Sequence, residues 1–204
     1  MPNDPTIATY DKYAQVYDEE VIEFWEHFPA AFIDEFIAKL PEPGKRILNL
    51  GSGSGRDALL LRDHGLGVVC VDASEAMIAI TKRLGFESYR QTFADLRFPA
   101  QSFDGVWAYT SLIHVPKTEV VQAVKTIHAL LKPGGAFAVG AIEGETAGMI
   151  ERKTMPQAAR YFKYYAREEL KQLVEGQGFA FAHEHDYQPH TKVYLNQLYT
   201  KTSR

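Results

Sequence analysis

The chain's most constraining feature is a strand-like run that ends in alternating glycines. Ile47-Leu48-Asn49-Leu50 leads straight into Gly51-Ser52-Gly53-Ser54-Gly55, and helical spacing resumes from Arg56. A short apolar run stopped by glycines and followed by a helix is a buried strand, a tight turn and a crossover helix. Such a unit commits the chain to a parallel sheet with helices packed on it. Glycine tolerates positive φ and lets a ligand lie against the backbone, and the helix start behind it offers unpaired N–H groups. Val68-Val69-Cys70-Val71 reads as the next buried strand and is closed by Asp72. An acid about 20 residues past the first glycine can accept hydrogen bonds from both ribose hydroxyls of a nucleotide-like ligand. The spacing therefore predicts an adenosine-containing ligand at the carboxyl edge of the sheet. A dinucleotide fingerprint would place its third glycine at position 56, where this chain has Arg56, which argues against NAD.

The same alternation continues on both sides of this unit. Residues 25–40 form an amphipathic stretch that Pro41, Pro43 and Gly44 punctuate. Ser74 caps a helix with Met77, Ile78 and Ile80 inward and Gly85 as its stop. Weak strand character follows at residues 89–93, then a strand at 103–109, a helix through Val121, Val124, Ile127 and Leu131, a Pro133-Gly134-Gly135 turn and a strand at 136–139. The tail adds a helix at residues 168–175 and two runs, 179–187 and 194–199, that read as an antiparallel edge pair. The expected fold is α/β and doubly wound: a Rossmann-like, mostly parallel sheet of about seven strands, an antiparallel closing strand, and helices on both faces.

At 204 residues the expectation is one domain. Its parts are a helical lead or lid (1–44), a ligand-binding core (45–140), and an acceptor cover with closing strands (141–204). The net charge of −4 makes a poor non-specific binder of phosphate backbones. The one cysteine, Cys70, excludes an internal disulfide and fits a buried core position. The first residues have neither a basic nor an apolar signal region, and no apolar run reaches the ~20 residues of a membrane helix. A cytoplasmic protein with no membrane partner is expected.

Four blocks, in order, give the chain its resemblance to a known family. They are Ile47 to Gly55, then Val71-Asp72-Ala73-Ser74, then Phe93-Ala94-Asp95-Leu96-Arg97-Phe98-Pro99 with Ser102 to Trp107, and last Leu130-Leu131-Lys132-Pro133-Gly134-Gly135. Together they resemble the class I S-adenosylmethionine-dependent methyltransferases, and the tail is similar to small bacterial members. The resemblance implies S-adenosylmethionine as cofactor, bound through Asn49, Gly51, Ser52, Gly53, Gly55, Asp72, Ala73, Ser74, Asp95 and Leu96. Asp72 would take the ribose hydroxyls and Asp95 the adenine amine. The family usually has an acid where this chain has Asn49, which keeps an acceptor oxygen and loses the charge.

Methyl transfer from a sulfonium needs alignment and exclusion of water more than a catalytic triad. The acceptor pocket should lie at the carboxyl ends of the strands, within reach of three groups. Tyr109, Thr110, Ser111 and His114 follow the fourth strand; His114 is either a base or a packing and capping residue. Tyr10, Tyr13 and Tyr17 share one face of a helix, with Tyr17 a candidate at the reacting centre under a lid, or simply packed on the body. Residues 143–165, with Gly144 and Gly148, form a mobile cover. His183, Glu184, His185, Asp186 and His190 are read as a solvated face, with no metal site. Arg152, Lys153, Arg160, Lys163 and Arg167, interleaved with Tyr161, Tyr164 and Tyr165, are read as a solvated helix face. A small-molecule acceptor is the leading reading. An RNA or other macromolecular acceptor and a non-catalytic cofactor-binding module are the alternatives. The segment Tyr109-Thr110-Ser111-Leu112 lacks the Asn/Asp-Pro-Pro-aromatic block common in nucleic-acid amino methyltransferases. Oligomeric state is left open.

Overall fold

The structure is a computed structural model that describes residues 4–202. Its main sheet contains β1 (Arg46–Leu50), β2 (Gly67–Asp72), β3 (Glu87–Arg90), β4 (Phe103–Tyr109) and β5 (Leu131–Ile142), paired in parallel. A separate two-stranded ribbon pairs β6 (Ala147–Arg152) with β7 (Met155–Lys163). The main sheet is completed by β8 (Phe179–Tyr187) and β9 (Tyr194–Lys201), giving the order β3-β2-β1-β4-β5-β9-β8. The mostly parallel α/β sheet read from the sequence is the one found. The closing pair differs in detail: only β8 is an edge, because β9 inserts antiparallel between β5 and β8.

Every residue of β4 is buried, as a central parallel strand covered on both faces requires. Alternation then divides the core in two. Leu48, Leu50 and Val106 face α7 (Val120–Leu130) and α8 (Arg167–Glu175). Ile47 and Trp107 face Phe32 and Phe36 of α4 (Ala30–Ala38) together with α5 (Arg56–Asp63). Gly105 makes this second packing possible: a Cβ there would come within 2.7 Å of Leu40 and Phe36 side-chain carbons. The helix α6 (Glu75–Arg83) starts at Ser74, whose Oγ accepts the Met77 N–H.

Several expectations need correction. The stretch 25–40 is not one helix. Pro29 has no N–H to give and keeps the residue before it out of helical geometry, so α3 (Ile22–Glu26) and α4 are separate. The N-terminal tyrosines do not share a face, because the helix breaks at Tyr13 (φ −116°, ψ 25°) between α1 (Pro5–Lys12) and α2 (Ala14–Glu20). Tyr10 and Tyr17 point inward, while the Tyr13 hydroxyl donates to the Pro156 carbonyl at 2.9 Å on the outside. Within residues 143–165, positions 147–163 form the β6–β7 ribbon, bound to α1 through Tyr161 N–H to Thr6 Oγ1 (2.9 Å) and Thr9 Oγ1 to the Ala159 carbonyl (3.2 Å). The basic residues of this region therefore do not form a helix face. Arg152 and Arg160 are on strands, and Arg160 is buried. Strand β3 starts two residues before the expected run, at Glu87. Among the described residues no helix is long and apolar enough to cross a membrane, and no cluster of three His, Cys, Asp or Glu could hold a metal ion.

Candidate active site

The carboxyl ends of β1, β2 and β4 open on a cavity roofed by α1 and α2. Its floor is the glycine loop. The Gly51 and Ser52 N–H groups donate to the Val71 carbonyl at 2.8 and 2.9 Å, which ties the loop to the end of β2. Gly51 has φ 75° and lies against the Ser111 side chain, and Ser111 Oγ donates to the Leu50 carbonyl at 2.7 Å. Gly53 has φ 50°, and the Tyr17 ring edge would sit 3.2 Å from any Cβ placed there. Positive φ favours glycine at both positions, and at Gly51 a Cβ would also overlap the Ser111 side chain.

Asp72 is fixed by two backbone donors, Gly53 N–H at 2.9 Å and Ser74 N–H at 2.8 Å. Burial nevertheless raises its carboxyl above the ordinary range. Its oxygens are thus held at the cavity wall beside the glycine loop. Of the residues singled out in the sequence, Tyr17, Gly51, Gly53, Asp72, Ala73, Ser74 and His114 line this one cavity. Asn49, Ser52, Gly55, Asp95 and Leu96 do not. Asn49 is wholly buried beneath the loop and donates to Asp57 Oδ1 at 2.7 Å. Ser52 and Gly55 are buried within the loop. Asp95 is exposed, held below the usual carboxylate range by its hydrogen bond from Arg97. The wall near it is made by Gln91, Thr92, Phe93 and Ala94.

A second cavity, of about 430 Å³, lies beyond the first and shares Tyr10, Tyr17, Thr110 and His114 with it. These four residues stand between the two spaces. His114 Nδ1 is 2.6 Å from the Tyr161 carbonyl, which can only accept, so Nδ1 carries the proton. Nε2 is then the acceptor for the Tyr10 hydroxyl at 2.8 Å. Burial pushes the His114 imidazole down to about 4, keeping it neutral at physiological pH. Burial also raises the Tyr10 and Tyr17 hydroxyls, so both remain protonated. Thr110 has φ 49°, a rare geometry for a threonine, which turns the chain at the end of β4 between the two cavities.

Two residues of the overlying helices that hold this arrangement, Asp11 and Asp18, were not singled out by sequence. Asp11 Oδ1 accepts from Ser74 Oγ at 2.6 Å and from Ala76 N–H at 3.2 Å. Arg56 donates from Nε and Nη2 to the two oxygens of Asp18, both at 2.8 Å. The position that argues against a dinucleotide thus fastens α2 to the start of α5. The only advance signal was an arginine at a helix N-terminus, where the helix dipole disfavours a cation that lacks a partner.

A family model described as a methyltransferase domain matches residues 47–135. An uncharacterized methyltransferase of Staphylococcus carnosus (strain TM300) is 30% identical over 177 residues, covering 81% of this chain and 78% of that protein. The chain belongs to the class I S-adenosylmethionine-dependent methyltransferases. S-adenosylmethionine is their cofactor. Another relative, the sterol methyltransferase-like 1 of Botryococcus braunii, is 32% identical over 108 residues, which span 48% of this methyltransferase and only 27% of that protein. Among solved structures, the fold matches the Burkholderia thailandensis 1,6-didemethyltoxoflavin-N1-methyltransferase with a TM-score of 0.70 at 20% identity, covering 97% and 88% of the two chains. That structure holds 1,6-didemethyltoxoflavin and S-adenosylhomocysteine. The methyltransferase described here suits such a cofactor at its first cavity. Gly51 and Gly53 present bare backbone to it, a Cβ at either would press on Ser111 or Tyr17, and an oriented carboxylate stands beside them.

Proposed function

We propose that this chain transfers the methyl group of S-adenosylmethionine to a small-molecule acceptor seated in the second cavity. The observation that carries the reading is the pair of adjoining cavities divided by Tyr10, Tyr17, Thr110 and His114. When bound, S-adenosylmethionine supplies a methyl carbon on a sulfonium, which an acceptor lone pair displaces in line while the carbon–sulfur electron pair returns to sulfur. The residues of the chain hold and align the two partners. Asp72 accepts the ribose hydroxyls, Gly51 and Gly53 let the cofactor pass close to the backbone, and Ala73 and Ser74 complete that wall. Asn49, Ser52 and Gly55 act one layer below, by shaping the loop. Asp95 and Leu96 would reach the adenine only by a local shift of residues 91–97.

The four dividing residues exclude water and set the direction of approach. For an acceptor that starts protonated, Tyr10 Oη can take its proton while passing its own to His114 Nε2, the one neutral acceptor nitrogen at the partition. Tyr17, packed edge-on against Tyr10 at 5.2 Å, closes the path over Gly53. The didemethyltoxoflavin enzyme, which shares the fold, holds a small acceptor beside S-adenosylhomocysteine and so supports a small-molecule reading.

The test is incubation with methyl-labelled S-adenosylmethionine and a cell extract separated into low-mass, RNA and protein fractions. Label in the low-mass fraction with formation of S-adenosylhomocysteine is expected. Label confined to RNA or protein would replace the acceptor class, and cofactor binding with no transfer to any fraction would favour a binding module.

A further inference from the structure

Arg160 lies on β7 at the wall of the second cavity and is only 1% exposed. A buried guanidinium is costly unless it is paired and hydrogen-bonded. Here Nη2 has no hydrogen-bond partner among the described residues. The guanidinium is instead sandwiched by rings, 4.9 Å from the Tyr10 centroid and 5.2 Å from that of Phe162. The neighbouring cations of the cavity are only half-buried and have polar partners. Arg152 is 3.7 Å from Glu20, and Lys192 Nζ donates to the Tyr164 hydroxyl at 2.6 Å. Glu23, the other acid of the cavity, is exposed. One unit of buried positive charge is therefore left without a counterion, facing a space whose remaining wall includes Phe24, Trp25 and Tyr194.

We propose that the acceptor is a small aromatic carboxylic acid, its carboxylate taken by Arg160 and its ring seated against Phe24, Trp25, Phe162 and Tyr194. This rests on the second cavity being the acceptor site. A guanidinium offers parallel N–H donors that match the two oxygens of a carboxylate. A monoanion balances the one fully buried cation, Arg160, while Lys192, half-buried with the neutral Tyr164 hydroxyl as its partner, remains in reach of solvent. The cavity volume of about 430 Å³ suits a ring-sized molecule. The carboxylate acts as an anchor, and Arg160 stacks on Tyr10 at the partition, so the anchor sets how far the ring reaches toward the cofactor.

The experiment is calorimetry on the full chain saturated with S-adenosylhomocysteine, with benzoate, salicylate and phenylacetate titrated beside their amides and beside phenyl phosphate. At least one acid is expected to bind about tenfold more tightly than its amide, and Arg160→Met to abolish that preference, as loss of a charge-assisted hydrogen bond requires. Arg160→Met should also melt no lower than the wild type, because it removes an unpaired buried charge; a purely structural arginine would lower the midpoint on removal. Arg160→Lys should restore part of the acid preference. Equal binding of acids and amides, no acid binding at all, tighter binding of phenyl phosphate than of any acid, or an acid preference that survives Arg160→Met would each overturn the proposal. Failure to bind S-adenosylhomocysteine in the first step would instead strike the reading of the first cavity.

Discussion

Asn49 and Asp57 form a buried pair beneath the glycine loop, and their contact explains why an amide is tolerated where an acid is usual. Asn49 Nδ2 donates to Asp57 Oδ1 at 2.7 Å, and the Ala58 N–H donates to the same oxygen at 2.8 Å. An acid at position 49 would set two carboxyls in contact, and only one could ionise. Asn49→Asp should therefore lower stability by about 1–3 kcal/mol at pH 8 and by less at pH 5. Because Asn49 does not line the cavity, its affinity for S-adenosylhomocysteine should stay within about threefold. A large gain in affinity in calorimetry would show that residue 49 reaches the ligand.

Asp57 also gives the fold a pH dependence. Burial pushes its carboxyl up to about 7 from an ordinary 3.8. Folding then takes up a proton, so its contribution is full below the unfolded value and falls as pH rises toward 7. His114 has the opposite slope. Its imidazole is pushed down from 6.5 to about 4, so its contribution is full above 6.5 and is lost as pH falls toward 4. Urea melts of Asp57→Asn should gain on the wild type as pH rises through this window, by at most about 1.4 kcal/mol per pH unit. His114→Gln should gain on the wild type as pH falls. Curves parallel to the wild type in either variant would mean that the group does not titrate between the folded and unfolded states in this way.

At the scale of elements, the two helices over the first cavity are held by polar latches. The Arg56–Asp18 pair is bidentate but partly exposed, with side chains 32% and 25% accessible, so it contributes about 1 kcal/mol. Arg56→Ala should raise amide exchange in residues 5–20 severalfold and leave the central strands protected, with S-adenosylhomocysteine restoring protection. Unchanged exchange in those residues would mean that packing alone holds the lid.

The elements differed in how clearly they could be read from sequence, for a physical reason. Parallel strands such as β1, β2 and β4 are mostly apolar on both faces, and β1 and β2 are bounded by glycine or Asp, so each is a local signal. The β6–β7 ribbon has no comparable signal. Its strands alternate between a face on the cavity and a face on solvent, and its basic residues look alike in sequence whether solvated or buried. Arg160 is buried because β7 pairs with β6 and packs on α1, contacts made across about 150 residues of chain, as in the Thr9–Ala159 bond. The break at Tyr13 was hidden for the same reason: helical spacing continues through it.

Across the whole molecule, the meeting of the glycine loop with Asp72 was legible because it follows from topology. The order β3-β2-β1-β4-β5 brings the ends of β1, β2 and β4 together, and the glycine loop and Asp72 meet there. The second cavity, proposed as the acceptor site, was not, since it joins the N-terminal helices, the ribbon and the 189–194 segment, whose meeting depends on packing. The same division separates what is family property, the cofactor, from what belongs to this chain, the charge and shape of the second cavity.

The most direct measurement is calorimetric titration of the chain with S-adenosylhomocysteine, with NAD as control and Asp72→Ala beside the wild type. Saturable binding of S-adenosylhomocysteine alone is expected, weakened about tenfold or more in Asp72→Ala by loss of an oriented carboxylate acceptor. Binding of NAD, no binding of S-adenosylhomocysteine, or equal affinity in Asp72→Ala would contradict a cofactor site built on the glycine loop and Asp72.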